Sequence, residues 1–263
     1  MILIFFFILG AIVGSFLNVC IYRLPKKESL VSPSSHCTHC GKPIKFYDNI
    51  PIVSYIVLGG KCRHCKEHIS IRYPIVEGLS GLLCLTLFIK YGLSVQSFLY
   101  FLFSASLLII TFIDIDYQFI PDMISIPGIF FGIGASFFIP VISWFDSLFG
   151  ILAGGGFLFI VAIGYKWLTG RDGMGGGDIK LLAMTGAWLG WKAIPFILLS
   201  SSLIGALIGG GSLLLSKKGL RYKIPFGPFL SLGSIIYIFF GSELINWYVT
   251  LYQWRKCLKL EST

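Results

Sequence analysis

Two acidic stretches hold the residues best suited to chemistry. One is Gly173-Met174-Gly175-Gly176-Gly177-Asp178-Ile179-Lys180, set between two long apolar runs. The other closes an earlier apolar run: Phe112-Ile113-Asp114-Ile115-Asp116-Tyr117-Gln118-Phe119-Ile120-Pro121-Asp122. A carboxylate at the mouth of a membrane helix is costly, and such acids usually face the bundle interior and mark function. Gly175, Gly176 and Gly177 carry no Cβ, so a second helix can come close to this backbone. Two carboxylates meeting in a partly desolvated cleft cannot both ionise, so the pair holds one proton. That is the working state of an aspartic peptidase: one carboxylate takes a proton from water while the other polarises the scissile carbonyl. Within Asp114-x-Asp116-x5-Asp122 the spacing alone does not choose the partner of Asp178. Asp116, Asp122, Asp146 and Asp172 read as acids solvated at the membrane interface. Gly154-Gly155-Gly156 and Gly209-Gly210-Gly211 read as points of close helix packing.

The surrounding chain is that of an integral membrane protein. Of its 263 residues 56% are apolar and 13% charged, with a mean hydropathy of +0.84; the charged share is about half that of soluble proteins. A span needs about 20 apolar residues. Spans are expected at 2–22, 73–90, 97–113, 122–141, 147–168, 179–194, 195–215 and 226–250, giving an all-α protein with about eight transmembrane helices. The stretch 2–22 has no basic start and no small-residue cleavage site, and reads as a retained span. Between 179 and 215, the residues Gly190, Trp191, Lys192 and Pro195 leave only a short turn.

The net charge of +9 reads as an excess of basic residues in cytoplasmic loops, with membrane lipid and no nucleic acid as the expected surroundings. The segment from Arg23 to Arg72 carries nine of the 21 basic residues and three acidic ones, which places it in the cytoplasm. Counting spans returns Asp114 and Asp178 to that same side. The basic loops Lys166–Arg171 and Lys217–Lys223 agree. Eight spans leave the tail Arg255-Lys256-Cys257-Leu258-Lys259 on the opposite side, against the charge bias.

The cytoplasmic loop holds Cys37-Thr38-His39-Cys40 and Cys62-Arg63-His64-Cys65, 21 residues apart. Two such knuckles suit a tetrahedral four-cysteine zinc site of the zinc-ribbon type. Two disulfides are the competing reading, which a reducing cytoplasm disfavours. Four thiolates leave no open position on the metal, so the zinc is structural. His36, His39, His64 and His68 read as flanking surface residues, and Cys20, Cys84 and Cys257 as apolar fillers.

Taken together, the motifs resemble the type IV prepilin peptidases, which combine leader peptidase and N-methyltransferase activities. The resemblance covers nearly the whole chain. It is carried by Gly14-Ser15-Phe16-Leu17-Asn18-Val19 with Tyr22-Arg23-Leu24-Pro25, by the two CxxC pairs, and by Arg72-Tyr73-Pro74 with Glu77. It continues through Asp114-x7-Asp122, through Gly175-Gly176-Gly177-Asp178-x-Lys180, which matches the GxGD motif of presenilin-like peptidases, and through Pro225-Phe226-Gly227-Pro228.

The resemblance implies catalytic Asp114 and Asp178, supported by Asp116, Asp122, Gly175, Gly176, Gly177 and Lys180. It implies prepilin or pseudopilin substrates, cut after a Gly between a basic leader and an apolar helix. It also implies N-methylation of the new terminus by S-adenosylmethionine at the bacterial cytoplasmic membrane. No Gly-rich Rossmann fingerprint marks that cofactor's site, which is expected near the cytoplasmic loop and adjoining span ends. The domain reading is a first helix at 1–22, a zinc loop at 23–72 and a peptidase domain at 73–263. A scaffold or transporter with a zinc-dependent docking loop is the alternative, though no internal repeat supports it.

Overall fold

The computed structural model describes residues 1–170, 175–215, 225–241 and 243. Its elements are α1 (Ile2–Arg23), α2 (Val53–Val57), α3 (Arg72–Tyr91), α4 (Val95–Tyr117), α5 (Asp122–Ala135), α6 (Trp144–Thr169), α7 (Gly176–Leu189) and α8 (Ala193–Leu215). A helix at Gly227–Gly241, here α9, follows. The described residues contain no strand. The expected all-α architecture is what forms, since a backbone in lipid must satisfy its hydrogen bonds within its own segment.

Among the described residues, four helices, α1, α3, α4 and α6, are long and apolar enough to cross a membrane. Of the other expected spans, α8 runs to 23 residues, whereas α5 and α7 are shorter. The 14-residue helices α5 and α7 rise only about 21 Å, against a hydrocarbon core of about 30 Å. The apolar run expected to extend α5 to 141 leaves the helix at Ala135, and its Ile139 and Ile142 turn into the core instead. Helix α7 ends where Gly190 takes φ +77°, and α8 starts at Ala193, so the short turn expected there is present.

Helix α4 is the axis of the bundle: 56% of its apolar stretch is buried, against 28% for α1 and for α6. Phe103 of α4 stacks on Trp188 of α7, ring centroids 5.0 Å apart. The Trp188 indole donates to the Gly128 carbonyl of α5 at 2.8 Å. One aromatic pair and one hydrogen bond thus tie three helices together. Every residue from Leu181 to Leu189 of α7 is buried, because α5 and α6 enclose it. That enclosure needs a close approach, and Gly150 of α6 lies directly against Gly186 of α7. Of the Gly154 run, Gly154 and Gly155 face α7 as expected, whereas Gly156 meets nothing.

The interface acids are less free than the sequence suggested. Asp146 forms a capping box with Ser143 at the start of α6. Its other oxygen accepts the Trp191 indole N–H at 3.1 Å, which pins the turn between α7 and α8. Asp116 is ion-paired with Arg72, joining the end of α4 to the start of α3. Asp122 is paired with Lys180. In each case an adjacent helix end supplies the partner. Asp172, the loop 217–223, Cys257 and the basic tail lie outside the described residues.

Candidate active site and four-cysteine cluster

Asp114 sits in the last turn of α4 and is 5% exposed. Its Oδ2 accepts the backbone N–H of Gly227 at 3.0 Å. That bond crosses 113 residues of chain and brings the start of α9 onto the end of α4. A Cβ at position 227 would stand 2.6 Å from the same oxygen, so only glycine fits. The Ile120 side chain fills the remaining space. Its Cδ1 lies 3.3 Å from where a Gly227 Cβ would be, and its Cβ lies 2.9 Å from where a Gly177 Cβ would be. The first acidic stretch, the glycine run and the Pro-Phe-Gly-Pro stretch therefore converge on Ile120.

Asp178 lies in the first turn of α7 directly after that glycine run, and among the described residues Asp114 is a charged group close enough to act on it. Both carboxylates thus lie in one neighbourhood, at the same end of their helices' bundle. Lys180, two residues on, donates to both oxygens of Asp122 at 2.7 and 2.8 Å. These bonds tie the start of α7 to the start of α5. Gly175 is the N-cap of α7, and a Cβ there would lie 3.7 Å from Asp178 Oδ2. Gly176 has open space around it.

The second cluster lies in the segment joining α1 to α3. The sulfurs of Cys37, Cys40, Cys62 and Cys65 all lie within 4.8 Å of one another. Cys37 Sγ and Cys65 Sγ are 3.8 Å apart, close to the edge of a tetrahedron with zinc–sulfur bonds of about 2.3 Å. The described cysteines are free thiols, so the disulfide reading does not hold among them.

The two knuckles are built alike. The Cys37 N–H donates to the Lys42 carbonyl at 2.9 Å and the Cys62 N–H to the Glu67 carbonyl at 2.8 Å. Gly41 and Lys66, at matching positions, take φ +69° and +60°. Isolated antiparallel bridges close each turn, at His36–Pro43 and Lys61–His68. Backbone N–H groups of Cys65 and His64 draw the Cys62 thiol down to about 6, which favours a thiolate ligand. The Glu67 N–H acts the same way on Cys65, but desolvation and the neighbouring sulfurs outweigh it and hold that thiol up at about 11.

Several contacts fix this loop, among them the Arg23 guanidinium of α1, which donates to the Ser29 and Pro33 carbonyls at 2.8 and 2.6 Å. The Arg63 guanidinium grips Asp48 at 2.6 to 3.1 Å and holds its carboxyl below the usual carboxylate range. Ile52, held at φ +62°, donates its N–H to Glu77 Oε2 of α3 at 2.8 Å. A β-branched residue at positive φ is strained, and here its N–H is satisfied by a carboxyl oxygen of α3. Glu77 therefore anchors the loop on α3, as Arg23 does on α1. Ile120 and Ile52 were not recognisable as site residues in the sequence. Gly227 was flagged only through its motif, where glycine between two prolines is the signal of a close backbone approach.

Comparisons with known proteins agree with this layout. The family model for the bacterial peptidase A24 N-terminal domain matches residues 8–91, and that for the type IV leader peptidase family matches residues 101–210. A prepilin leader peptidase/N-methyltransferase of Pseudomonas putida is 38% identical over 259 positions, covering 90% of this chain and 90% of that protein. The like-named protein of Aeromonas hydrophila is 38% identical, covering 93% and 92%. That of Burkholderia pseudomallei strain 1026b is 35% identical, covering 90% and 85%. No solved structure matches the chain.

Proposed function

The chain belongs to the type IV leader peptidase family, and from that membership we propose that it trims and N-methylates prepilins or pseudopilins at the cytoplasmic face of the bacterial inner membrane. The catalytic pair is Asp114 and Asp178. The Gly227 N–H holds one oxygen of Asp114 and so fixes the plane of that carboxylate, leaving its other oxygen for water or for the shared proton. The ionised member of the pair takes a proton from water as the oxygen bonds to the scissile carbonyl carbon. The protonated member donates to that carbonyl oxygen. The C–N bond then breaks, and a proton passes to the departing amine. A basic leader stays in the cytoplasm while its apolar helix lies in the bilayer. The bond after the junction Gly is thereby presented at the level of the acid pair.

The donor S-adenosylmethionine supplies an electrophilic methyl group: the new terminal amine forms the N–C bond, the C–S electron pair stays on sulfur, and a proton leaves the amine. The four cysteines hold a structural zinc, which gives a loop without a core of its own a reason to fold. The reading includes crossing by eight helices, α1 and α3–α9, with the short ones sheltered by their neighbours. It divides the chain into a first helix at 1–22, a zinc loop at 23–72 and a peptidase domain at 73–263. Asp122, Lys180 and the glycines 175–177 position Asp178.

The observation that carries this proposal is the meeting of three distant stretches on Ile120, with Asp114 bonded to Gly227 beside the glycine run that precedes Asp178. The test is leader cleavage of a purified prepilin in detergent. Asp114→Asn and Asp178→Asn are each expected to abolish it at unchanged protein level. Full trimming by either variant removes the acid pair from the mechanism.

A further inference from the structure

We propose that the segment 46–58 of the cysteine loop lies in the bilayer interface, with Phe46, Ile50, Val53, Ile56 and Val57 against lipid of the cytoplasmic leaflet and lysines at its ends against anionic headgroups. The sequence reads 23–72 as one cytoplasmic loop. Its middle is instead a surface that the membrane covers, and only its cysteine knuckles stand in water.

The burial pattern is the first ground, because α2 is inside out. Its Ser54 is 8% exposed, whereas Ile56 and Val57 are 70% and 73% exposed. The Ser54 hydroxyl turns to the loop's own backbone, donating to the Tyr47 carbonyl at 3.0 Å and accepting the Ile50 N–H at 3.1 Å. Val53 points outward too, as do Phe46 and Ile50 ahead of α2. The knuckles on either side behave differently: their exposed residues include Thr38, His39, His64, Lys66 and Glu67. A loop in water throughout would show polar groups along its whole length. A cluster of large exposed apolar side chains marks an interaction face instead.

Depth decides what covers that face. Ile52, the N-cap of α2, is bonded to Glu77. Glu77 lies five residues past Arg72, the first residue of α3, which is about 7.5 Å along the helix axis. Helix α3 has 20 residues, just enough to cross a hydrocarbon core of about 30 Å. The neighbouring α1 agrees: its Gly14 packs against the Glu77 backbone, and the helix runs on from there to Arg23. The bond that holds α2 is therefore set below the ends of both helices. The Glu77 side chain leans back toward the helix start. That puts the bond somewhat shallower, in the layer where interfacial apolar segments sit, about 5–10 Å into the headgroup and acyl boundary. At this level α1 and α3 themselves expose Phe16 and Ile75, as helices facing lipid do. Charge fits the same partner. Lys42, Lys45 and Lys61 flank the segment and are exposed, and Asp48, the acid within it, is held by Arg63. Basic groups at the ends of an apolar face pair with anionic headgroups. The cysteine knuckles are thereby held at the membrane surface.

The test uses the full-length protein in vesicles of phosphatidylethanolamine and phosphatidylglycerol that carry a trace of tritiated phosphatidylglycerol. The photoreactive residue p-benzoylphenylalanine replaces Ile56. The same replacement at Leu82 of α3, which is exposed, gives a lipid-facing reference, and at Lys66 a reference in water. Irradiation is expected to give a lipid adduct at position 56 as strong as that at position 82, and none at position 66. Label at 82 without label at 56 overturns the proposal. An adduct at 56 with an added prepilin, or with a second copy of the chain, in place of lipid also overturns it. Position 57 carries the same test, so one variant that fails to fold does not shelter the claim. At position 46, tritiated phosphatidylglycerol is expected to label more strongly than an equal amount of tritiated phosphatidylcholine. Equal labelling removes the part given to the lysines. None of these outcomes depends on whether the chain cleaves prepilins.

Discussion

Gly227 is the residue on which the acid site is most exposed to damage. Its N–H orients Asp114, and its missing side chain is what allows the approach. Gly227→Ala would put a methyl group 2.6 Å from Asp114 Oδ2, so one of the two must move. A shift of about 1 Å at a reacting group costs about 100-fold in rate. Leader cleavage by Gly227→Ala is expected to fall by about that factor, with zinc content unchanged. Near-normal turnover would show that the Asp114 carboxylate does not need this partner. The Asp122–Lys180 pair is a weaker determinant. Its side chains are 56% and 41% exposed, and exposed pairs contribute only about 0–1 kcal/mol. Its contribution is geometric, steadying the first turn of α7 just where Asp178 projects.

Helix α7 has too few residues to reach across a bilayer unaided, yet nearly all of its side chains are hidden. It is held by contact, chiefly with α6, through the facing glycines 150 and 186. Such small-residue contacts replace the hydrophobic drive that is absent between helices in lipid. Gly186→Val would bring a Cβ to 3.1 Å from Gly150 Cα, with two further methyl groups behind it. Overpacking of this kind costs about 1–3 kcal/mol. Thermal unfolding in detergent is expected at a lower temperature, with impaired cleavage, because α7 carries one acid of the pair. An unshifted transition would mean that α6 and α7 are not held by this seam.

The molecule as a whole separates its tasks. The acid pair is assembled from the ends of α4, α7 and α9, whereas the cysteine loop is anchored on α3 through Glu77 and Ile52. Loss of the metal is therefore expected to harm the loop first. Cys62→Ser, or prolonged chelation, should abolish the zinc signal in metal analysis and expose residues 24–71 to limited proteolysis. Leader cleavage should decline less than loop integrity does. A purified protein without zinc, or a loop equally resistant after chelation, contradicts that assignment.

Much of this was legible in the chain itself. The acids stood out because charge is rare in an apolar sequence, and the paired CxxC knuckles because thiol spacing constrains what four sulfurs can do. Loop charge supplied a common side for both. These are local properties, fixed by residue type and separation. Helix lengths were legible only in part: hydropathy reports that Leu181–Leu189 avoid water, not whether they meet lipid or protein, and only packing around α7 separates the two. The partners of Asp116, Asp122 and Asp146 were hidden for a related reason. Each lies on another helix end, from 45 to 58 residues away in two cases and 44 in the third, and no pattern along the chain encodes which ends will touch. The sequence by itself determined the membrane class and the four cysteines that come together, and it singled out the acids as candidates for catalysis. The tertiary structure decided that Ile120 fills the space between two glycines and that Gly227 holds Asp114, because proximity across a fold follows from packing in three dimensions.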